Sequence, residues 1–204
     1  MLQEIAFSQG VELDITASLK GGQTFRDHTG LVMSLSSCSL EEYDYAFLQG
    51  QSQEPARFAE DRMEQRDVKL ALCDLCDAIR LTSPSCLTFV ETTWAYGAGD
   101  CGGFGSMERF DELLSEGSSA IAYVSRSGTI PVGPAFAAVR ADGSPVSLLG
   151  PDDKHQNPAG AYLKACVEYL LISGRPFKDP VPSISLSESD ASYLRSTAEK
   201  TVLK

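Results

Sequence analysis

The chain has 204 residues, of which 43% are hydrophobic, and its 28 acidic and 17 basic side chains give a net charge of -11. This charge argues against a nucleic-acid partner and against an anionic membrane surface, because both attract Lys and Arg. No apolar run approaches the roughly 18 residues that span a bilayer, and Met1-Leu2-Gln3-Glu4 lacks the start of a signal peptide. We therefore expect a soluble protein of undetermined compartment, built as a single domain over residues 1–204.

Strand-like runs alternate with longer helical patterns, which is typical of an α/β fold with a parallel sheet covered by helices. The residues Met1–Gln9 indicate the end of a helix that Gly10 caps. The predicted strands are Val11–Ser18, Tyr43–Leu48, Leu87–Thr92 and Ile130–Val132. The predicted helices are Gln23–Leu35, Asp67–Leu81, Met107–Ser127, Ala159–Ser173 and Glu188–Thr201. The charged stretch Arg57–Lys69 predicts an exposed helix start, and Arg175–Ser187, which contains three prolines, predicts a surface connection to the last helix.

The only close pair among the six cysteines is Cys73 and Cys76. It falls in a helical pattern that places Val68, Leu72, Leu75 and Ile79 on one face, so the pair is interpreted as packing. A zinc site would need two further ligands in a second cluster, and the sequence offers none. We predict neither a metal nor an organic cofactor.

The segment Pro151–Gly160 contains Asp152 and, three residues later, His155, one of only two histidines in the chain. An Asp-x-x-His spacing near the end of an α/β chain suggests the acid and base of a serine esterase. In such a pair the carboxylate fixes the tautomer of the imidazole. The alternative is a solvated surface turn, since acids near histidines are common there. The amphipathic pattern after Pro158 predicts a packed helix that would fix the position of the segment.

Several stretches, in this order, resemble the SGNH or GDSL hydrolase superfamily, in particular its bacterial branch with sialate O-acetylesterase-like members. They are Ser18–Phe25, Tyr43–Ser52, Thr93–Tyr96, Ile130–Phe136, and Asp152–His155 followed by Gly160–Cys166. The resemblance covers roughly residues 3–178. It implies a three-layer α/β/α, flavodoxin-like fold and a carboxyl-ester hydrolase that acts on a small-molecule ester such as an acetylated carbohydrate.

The same resemblance assigns roles to individual residues. His155 and Asp152 match the block that carries the catalytic base and acid. Gly22 matches the glycine that offers its backbone N–H to the oxyanion, and Gln49 or Gln51 matches the polar side chain that completes the oxyanion hole. The sequence leaves open which glutamine serves, because Gln49-Gly50-Gln51-Ser52 departs from the usual Gly-x-Asn pattern.

The nucleophile of the family is not found in the sequence, which contains neither Gly-Asp-Ser nor Gly-Asn-Ser. Ser8 and Ser18 fall in the wrong elements to replace it. The first strand is therefore expected upstream of this sequence, together with any signal peptide. A strand, a turn and a helix would require about 25–40 additional residues. Alternatively, another segment takes the place of the first strand.

Two rival interpretations stay open. The first is a noncatalytic remnant of the fold that acts as a binding or structural protein. The second is a flavodoxin-like nucleotide binder. The glycine-rich loop Gly97–Gly105 lacks the ending of a phosphate-binding loop, so it is interpreted either as an active-site rim or as a simple linker.

Overall fold

The computed structural model describes residues 1–60 and 64–203, and the prediction for Arg57–Lys69 lies partly outside them. The helices are α1 (Leu2–Ser8), α2 (Phe25–Thr29), α3 (Val32–Leu40), α4 (Glu54–Glu60), α5 (Glu64–Thr82), α6 (Ala98–Gly103), α7 (Met107–Ser125), α8 (Val132–Ala141), α9 (Pro158–Ser173) and α10 (Glu188–Val202). The strands are β1 (Tyr45–Leu48), β2 (Leu87–Glu91) and β3 (Gly128–Ile130).

The three strands form a parallel sheet in the order β1-β2-β3, flanked by helices. β1 and β2 pair with Tyr45 opposite Leu87 and Leu48 opposite Val90. Their carboxyl ends lead into the loops after residues 48 and 91, which is the edge where open α/β sheets bind ligands. The predicted α/β fold is thus confirmed.

The chain forms two compact units. The first unit comprises Met1–Ile15, Trp94–Asp111 and Ile130–Lys204, and the second comprises Thr16–Thr93 and Glu112–Thr129. Each unit has buried apolar side chains of its own. The single domain over residues 1–204 stays a prediction.

In the second unit, α5 supplies a buried face. Leu72, Leu75, Cys76 and Ile79 are nearly inaccessible to solvent, and the first three pack in a core with aromatic residues such as Phe58. The interpretation of the cysteine pair as packing is confirmed for Cys76, while Cys73 is half-buried, and all six cysteines carry free thiols. Within residues 1–60 and 64–203, no group of three or more potential ligands is placed to hold a metal ion.

In the first unit, α9 packs against α1, α8 and α10. Arg195 on α10 is 8% exposed, and it donates to the Tyr162 hydroxyl at 3.0 Å and to Glu188 Oε1 at 2.6 Å. Burial raises the pKa of Tyr162 to about 12. No helix among the described residues is long and apolar enough to cross a membrane.

The predicted strand Val11–Ser18 is wrong, because these residues form no strand. Alternating side chains suit a strand, but a strand also needs a neighbouring backbone. Here the backbone is held locally instead: the Val11 amide donates to the Ala6 carbonyl, and the Leu13 carbonyl accepts from the Gln3 side chain.

Other predicted elements also differ in their bounds, and two of these differences have a local cause. The predicted helix Gln23–Leu35 is divided into α2 and α3, because α2 already ends at Gly30, a poor helix former. The predicted strand Ile130–Val132 ends at Ile130, and Val132 begins α8. Pro131 lacks the N–H that a strand ladder requires and precedes a helix readily.

Candidate functional site

Asp152 and His155 form a hydrogen-bonded pair. His155 Nδ1 lies 2.5 Å from Asp152 Oδ2, while Asp152 Oδ1 accepts from the backbone N–H groups of Lys154 at 3.2 Å and His155 at 3.0 Å. The hydrogen bond from the His155 ring, followed by that from its backbone, lowers the pKa of Asp152 to about 2. The carboxylate is therefore ionised and oriented at neutral pH.

The other ring nitrogen of His155 is the one that can do chemistry. The His155 side chain is 77% exposed, and Nε2 makes no hydrogen bond to any residue that the structure describes. With Nδ1 donating to Asp152, the neutral ring carries its lone pair on Nε2. This tautomer is the one that a general base requires.

The turn that carries the pair is closed at its base by backbone hydrogen bonds. Leu149 and Gln156 form an antiparallel bridge, the Gly150 amide donates to the His155 carbonyl at 2.8 Å, and the Asp153 amide donates to Gly150 at 3.0 Å. Asp153 has a φ of +50°, a left-handed conformation that non-glycine residues adopt at some cost. The turn thus holds a strained residue between the acid and the base.

Asn157 connects this turn to α9. Its side-chain oxygen caps the helix by accepting from the Ala159 and Gly160 amides at 2.9 and 3.0 Å. Its Nδ2 donates to the carbonyls of Ser147 at 2.8 Å and Leu149 at 3.2 Å. One side chain therefore joins the helix N-terminus to the segment Ser147–Leu149 that enters the turn.

Residues 94–98, which we call the anchor segment, contact the same turn. The Trp94 indole N–H donates to the Lys154 carbonyl at 3.0 Å, and the Lys154 ammonium lies 5.3 Å from the centre of the Tyr96 ring. The Ala98 amide donates to the Asp153 carbonyl at 3.3 Å. The glycine-rich stretch Gly97–Gly105, which overlaps the end of the anchor segment, thus begins in contact with the acid–base turn.

The anchor segment is itself held from two directions. The Trp94 ring stacks on buried Phe136, with 4.7 Å between centroids and 13° between planes. The Ala95 amide donates to Asp111 Oδ1 at 3.4 Å, and Asp111 is ion-paired with Arg140. Burial raises the pKa of Asp111, while the neighbouring Arg140 opposes this shift.

The predicted oxyanion donors lie in the second unit, whereas Asp152 and His155 lie in the first. Gly22 is exposed and has a φ of +75°, which glycine adopts without strain. Gln49 is exposed, and Gln51 is half-buried. The Gln51 side-chain oxygen accepts from the Gln53 amide at 2.8 Å, which directs its NH2 group away from that bond.

Glu54, which sequence reasoning missed, joins the two loops that contain these donors. Its buried carboxylate accepts from the Phe25 amide at 3.0 and 3.2 Å, and its own amide donates to the Gln51 carbonyl at 2.8 Å. A methyl group at Gly50 would overlap the Glu54 carboxylate. The turn after Gly22 and the loop after β1 are therefore brought together within the second unit.

The second histidine has a different environment. His28 Nδ1 lies 2.9 Å from the Ser34 hydroxyl, which lies 3.1 Å from the Ser18 hydroxyl. Burial lowers the pKa of His28, and nearby Asp27 partly opposes the shift. The Asp27 carboxylate accepts from the Thr24 amide and hydroxyl instead of from the ring. Among the residues that the structure describes, His28 thus has no carboxylate partner like the one that orients His155.

The fold has relatives among solved structures. A DUF4886 family protein from Bacteroides uniformis aligns with 100% of this chain and 88% of its own, with a TM-score of 0.80 and 16% identity. A proposed SGNH hydrolase from Slackia heliotrinireducens aligns with 81% of this chain and 86% of its own, with a TM-score of 0.61 and 21% identity. No protein-family model and no curated protein matches the sequence. These similarities show an α/β fold like that of the proposed SGNH hydrolase.

Proposed function

We propose that the protein is a carboxyl-ester hydrolase of the SGNH type, with His155 as the general base and Asp152 as its orienting acid. The observation that carries the proposal is the 2.5 Å contact between His155 Nδ1 and Asp152 Oδ2 on a histidine whose side chain is 77% exposed. The similarity to the fold of a proposed SGNH hydrolase agrees with this reaction class as a fold-level analogy only.

The reaction follows from these groups. A serine hydroxyl attacks the ester carbonyl, its proton moves to His155 Nε2, and an Oγ–C bond forms. Collapse of the tetrahedral intermediate breaks the C–O bond of the ester, and the imidazolium returns the proton to the leaving alkoxide. A water molecule then repeats both steps on the acyl-enzyme. Asp152 stabilises the imidazolium throughout and stays ionised.

The oxyanion donors in this proposal are the Gly22 amide and the side chain of Gln51. We favour Gln51 over Gln49 because the Gln53 amide occupies the Gln51 oxygen and leaves its NH2 group to donate. Each such donor is worth about 3 kcal/mol of transition-state stabilisation. The substrate is a small neutral or cationic ester, such as an acetylated carbohydrate, because the net charge of -11 disfavours anionic substrates.

The nucleophilic serine is not yet assigned, because the sequence contains neither Gly-Asp-Ser nor Gly-Asn-Ser. The protein isolated from its own organism should be treated with a fluorophosphonate, which labels activated serines, and the labelled peptide identified by mass spectrometry. Intact mass of the same sample gives the length of the natural chain. The proposal expects one labelled serine.

Turnover of p-nitrophenyl acetate tests the roles of the pair. We expect His155→Ala to abolish most turnover and most labelling, and Asp152→Ala to reduce both less, because the base survives without its orienting partner. His28→Ala is the matched control and should leave both unchanged. Equal turnover in wild type and His155→Ala would overturn the assignment. If the natural protein showed no labelling and no turnover, the noncatalytic alternative would be favoured.

A further inference from the structure

Burial of its own side chains does not stabilise the turn between Asp152 and His155. Asp152, Asp153 and His155 are all exposed, and Asp153 adopts its left-handed conformation without the freedom of a glycine. A residue in that region costs on the order of 1 kcal/mol and persists where its surroundings enforce it. Contacts from outside the turn must therefore contribute to its geometry.

Lys154 is the residue of this turn at which such contacts concentrate. Among residues 151–156 it is the one that is partly buried. Its carbonyl accepts the Trp94 indole N–H at 3.0 Å, and its ammonium lies over the Tyr96 ring. Because Lys154 directly precedes His155, a displacement of its carbonyl rotates the peptide that carries the His155 amide.

Trp94 is suited to act as a fixed point. Its ring is stacked on buried Phe136, and the amide of the next residue, Ala95, is bound by Asp111. An aromatic side chain has only two torsions, and stacking restricts both, so the direction of the indole N–H is set before it meets the turn.

We propose that Trp94 is a positioning residue of the Asp152–His155 pair, acting through the carbonyl of Lys154. The proposal rests on the function proposed above and deepens it. The Trp94 N–H keeps the turn closed around Asp153, and the closed turn brings the Lys154 and His155 amides and the His155 ring onto one carboxylate. Loss of that single N–H should loosen all three hydrogen bonds together.

The test uses the fact that the chain contains one tryptophan and two histidines. Producing the protein in a tryptophan auxotroph fed with 3-(3-benzothienyl)alanine replaces the indole N–H by sulfur with almost no change in shape. Trp94→Phe is the genetic counterpart, which keeps a ring on Phe136. Phe136→Leu is the matched control that weakens the stacking and keeps the N–H.

Two NMR readouts report on the pair without any need for catalysis. The first is the downfield proton of the His155 Nδ1–H bond, assigned by its loss in Asp152→Asn, with His28 as internal reference. The second is the midpoint of the Asp152 carboxyl titration by ¹³C NMR. In the benzothienyl protein we expect the proton signal to be lost and the midpoint to rise from about 2 toward 3.8, the ordinary value. Phe136→Leu should keep more of the proton signal than the benzothienyl protein does, and its Asp152 midpoint should stay closer to that of wild type.

The outcomes separate this proposal from the proposed function. An unchanged proton signal and an unchanged Asp152 midpoint in a folded benzothienyl protein would overturn the role of Trp94, whatever the activity. If the natural protein hydrolyses p-nitrophenyl acetate, loss of the N–H should lower kcat with little change in KM. Changed NMR readouts in a protein without esterase activity would support the positioning role and contradict the hydrolase.

Discussion

Replacement of Asn157 by alanine should lower the free energy of unfolding by about 3 kcal/mol. The side chain caps α9 through two amides and also donates to the carbonyls of Ser147 and Leu149. A lost N-cap costs about 1 kcal/mol, and each of the two lost donor bonds adds about 1 kcal/mol. The loss is large for a domain whose total stability is about 5–15 kcal/mol.

Asn157→Asp divides this effect into its parts. The carboxylate keeps the capping acceptor and favours the helix N-terminus, but it removes both donor bonds. We expect a loss of about 1–2 kcal/mol, which lies between wild type and Asn157→Ala. Ser187→Ala is the matched control, because Ser187 caps α10 by accepting from the Asp190 amide and should cost about 1 kcal/mol.

Urea unfolding followed by far-ultraviolet circular dichroism measures the series at constant pH. The reasoning requires the order wild type, Asn157→Asp, Asn157→Ala from most to least stable. If Asn157→Ala cost no more than Ser187→Ala, the two donor bonds into the turn would contribute nothing, and the account of how α9 holds the turn would be refuted.

Three further outcomes are expected. Gly117→Ala should destabilise the protein by about 1–3 kcal/mol, measured in urea, because a methyl group would overlap the Pro55 carbonyl and outweigh the gain in helix propensity. Arg195→Met should cost about 1–2 kcal/mol in the same assay, since it removes the buried donor to the Tyr162 hydroxyl as well as the bond to exposed Glu188. Asp152 has a pKa of about 2 in the fold against the ordinary 3.8, so its contribution to stability is present above pH 3.8 and is lost as the pH falls toward 2. Urea midpoints measured from pH 5 to pH 2 should show a larger loss in wild type than in Asp152→Asn, because the other carboxyl groups titrate in both proteins.

Each of these predictions has a control on the same element or in the same assay. Ser119→Ala, at an exposed position of α7, should leave the urea midpoint unchanged, and so should Lys200→Gln on α10. A Gly117→Ala protein as stable as wild type would mean that α7 moves away from Pro55 at no cost. Identical acid dependence of wild type and Asp152→Asn would contradict the lowered pKa.

The long helices α5, α7, α9 and α10 were predictable because their signals are local, whereas α6 and α8 were not predicted. The amphipathic pattern of α7 and the caps at Asn157 and Ser187 lie within a few residues of the elements that they define. The strand prediction at Val11–Ser18 failed because a strand is defined by a partner far along the chain, which alternation does not reveal.

The same distinction applies to the candidate site. Asp152 and His155 are three residues apart, so a single turn brings them together, and their spacing predicted a pair. Trp94 and Lys154 are 60 residues apart, and nothing in either segment indicates the other. Glu54 is a similar case, because its hydrogen bond to Phe25 crosses 29 residues. Such long-range contacts cannot be read from the sequence, because they depend on how the sheet positions the loops in the folded structure.

Because Trp94 contacts the acid–base turn, its intrinsic fluorescence can report on the state of that turn. Trp94 is the single tryptophan, it is half-buried, and its N–H is bound to the turn. Opening of the turn exposes the indole to water and shifts its fluorescence emission to longer wavelength. Stopped-flow fluorescence of the unlabelled protein would therefore report whether, and at what rate, the turn opens when an ester or an inhibitor is added.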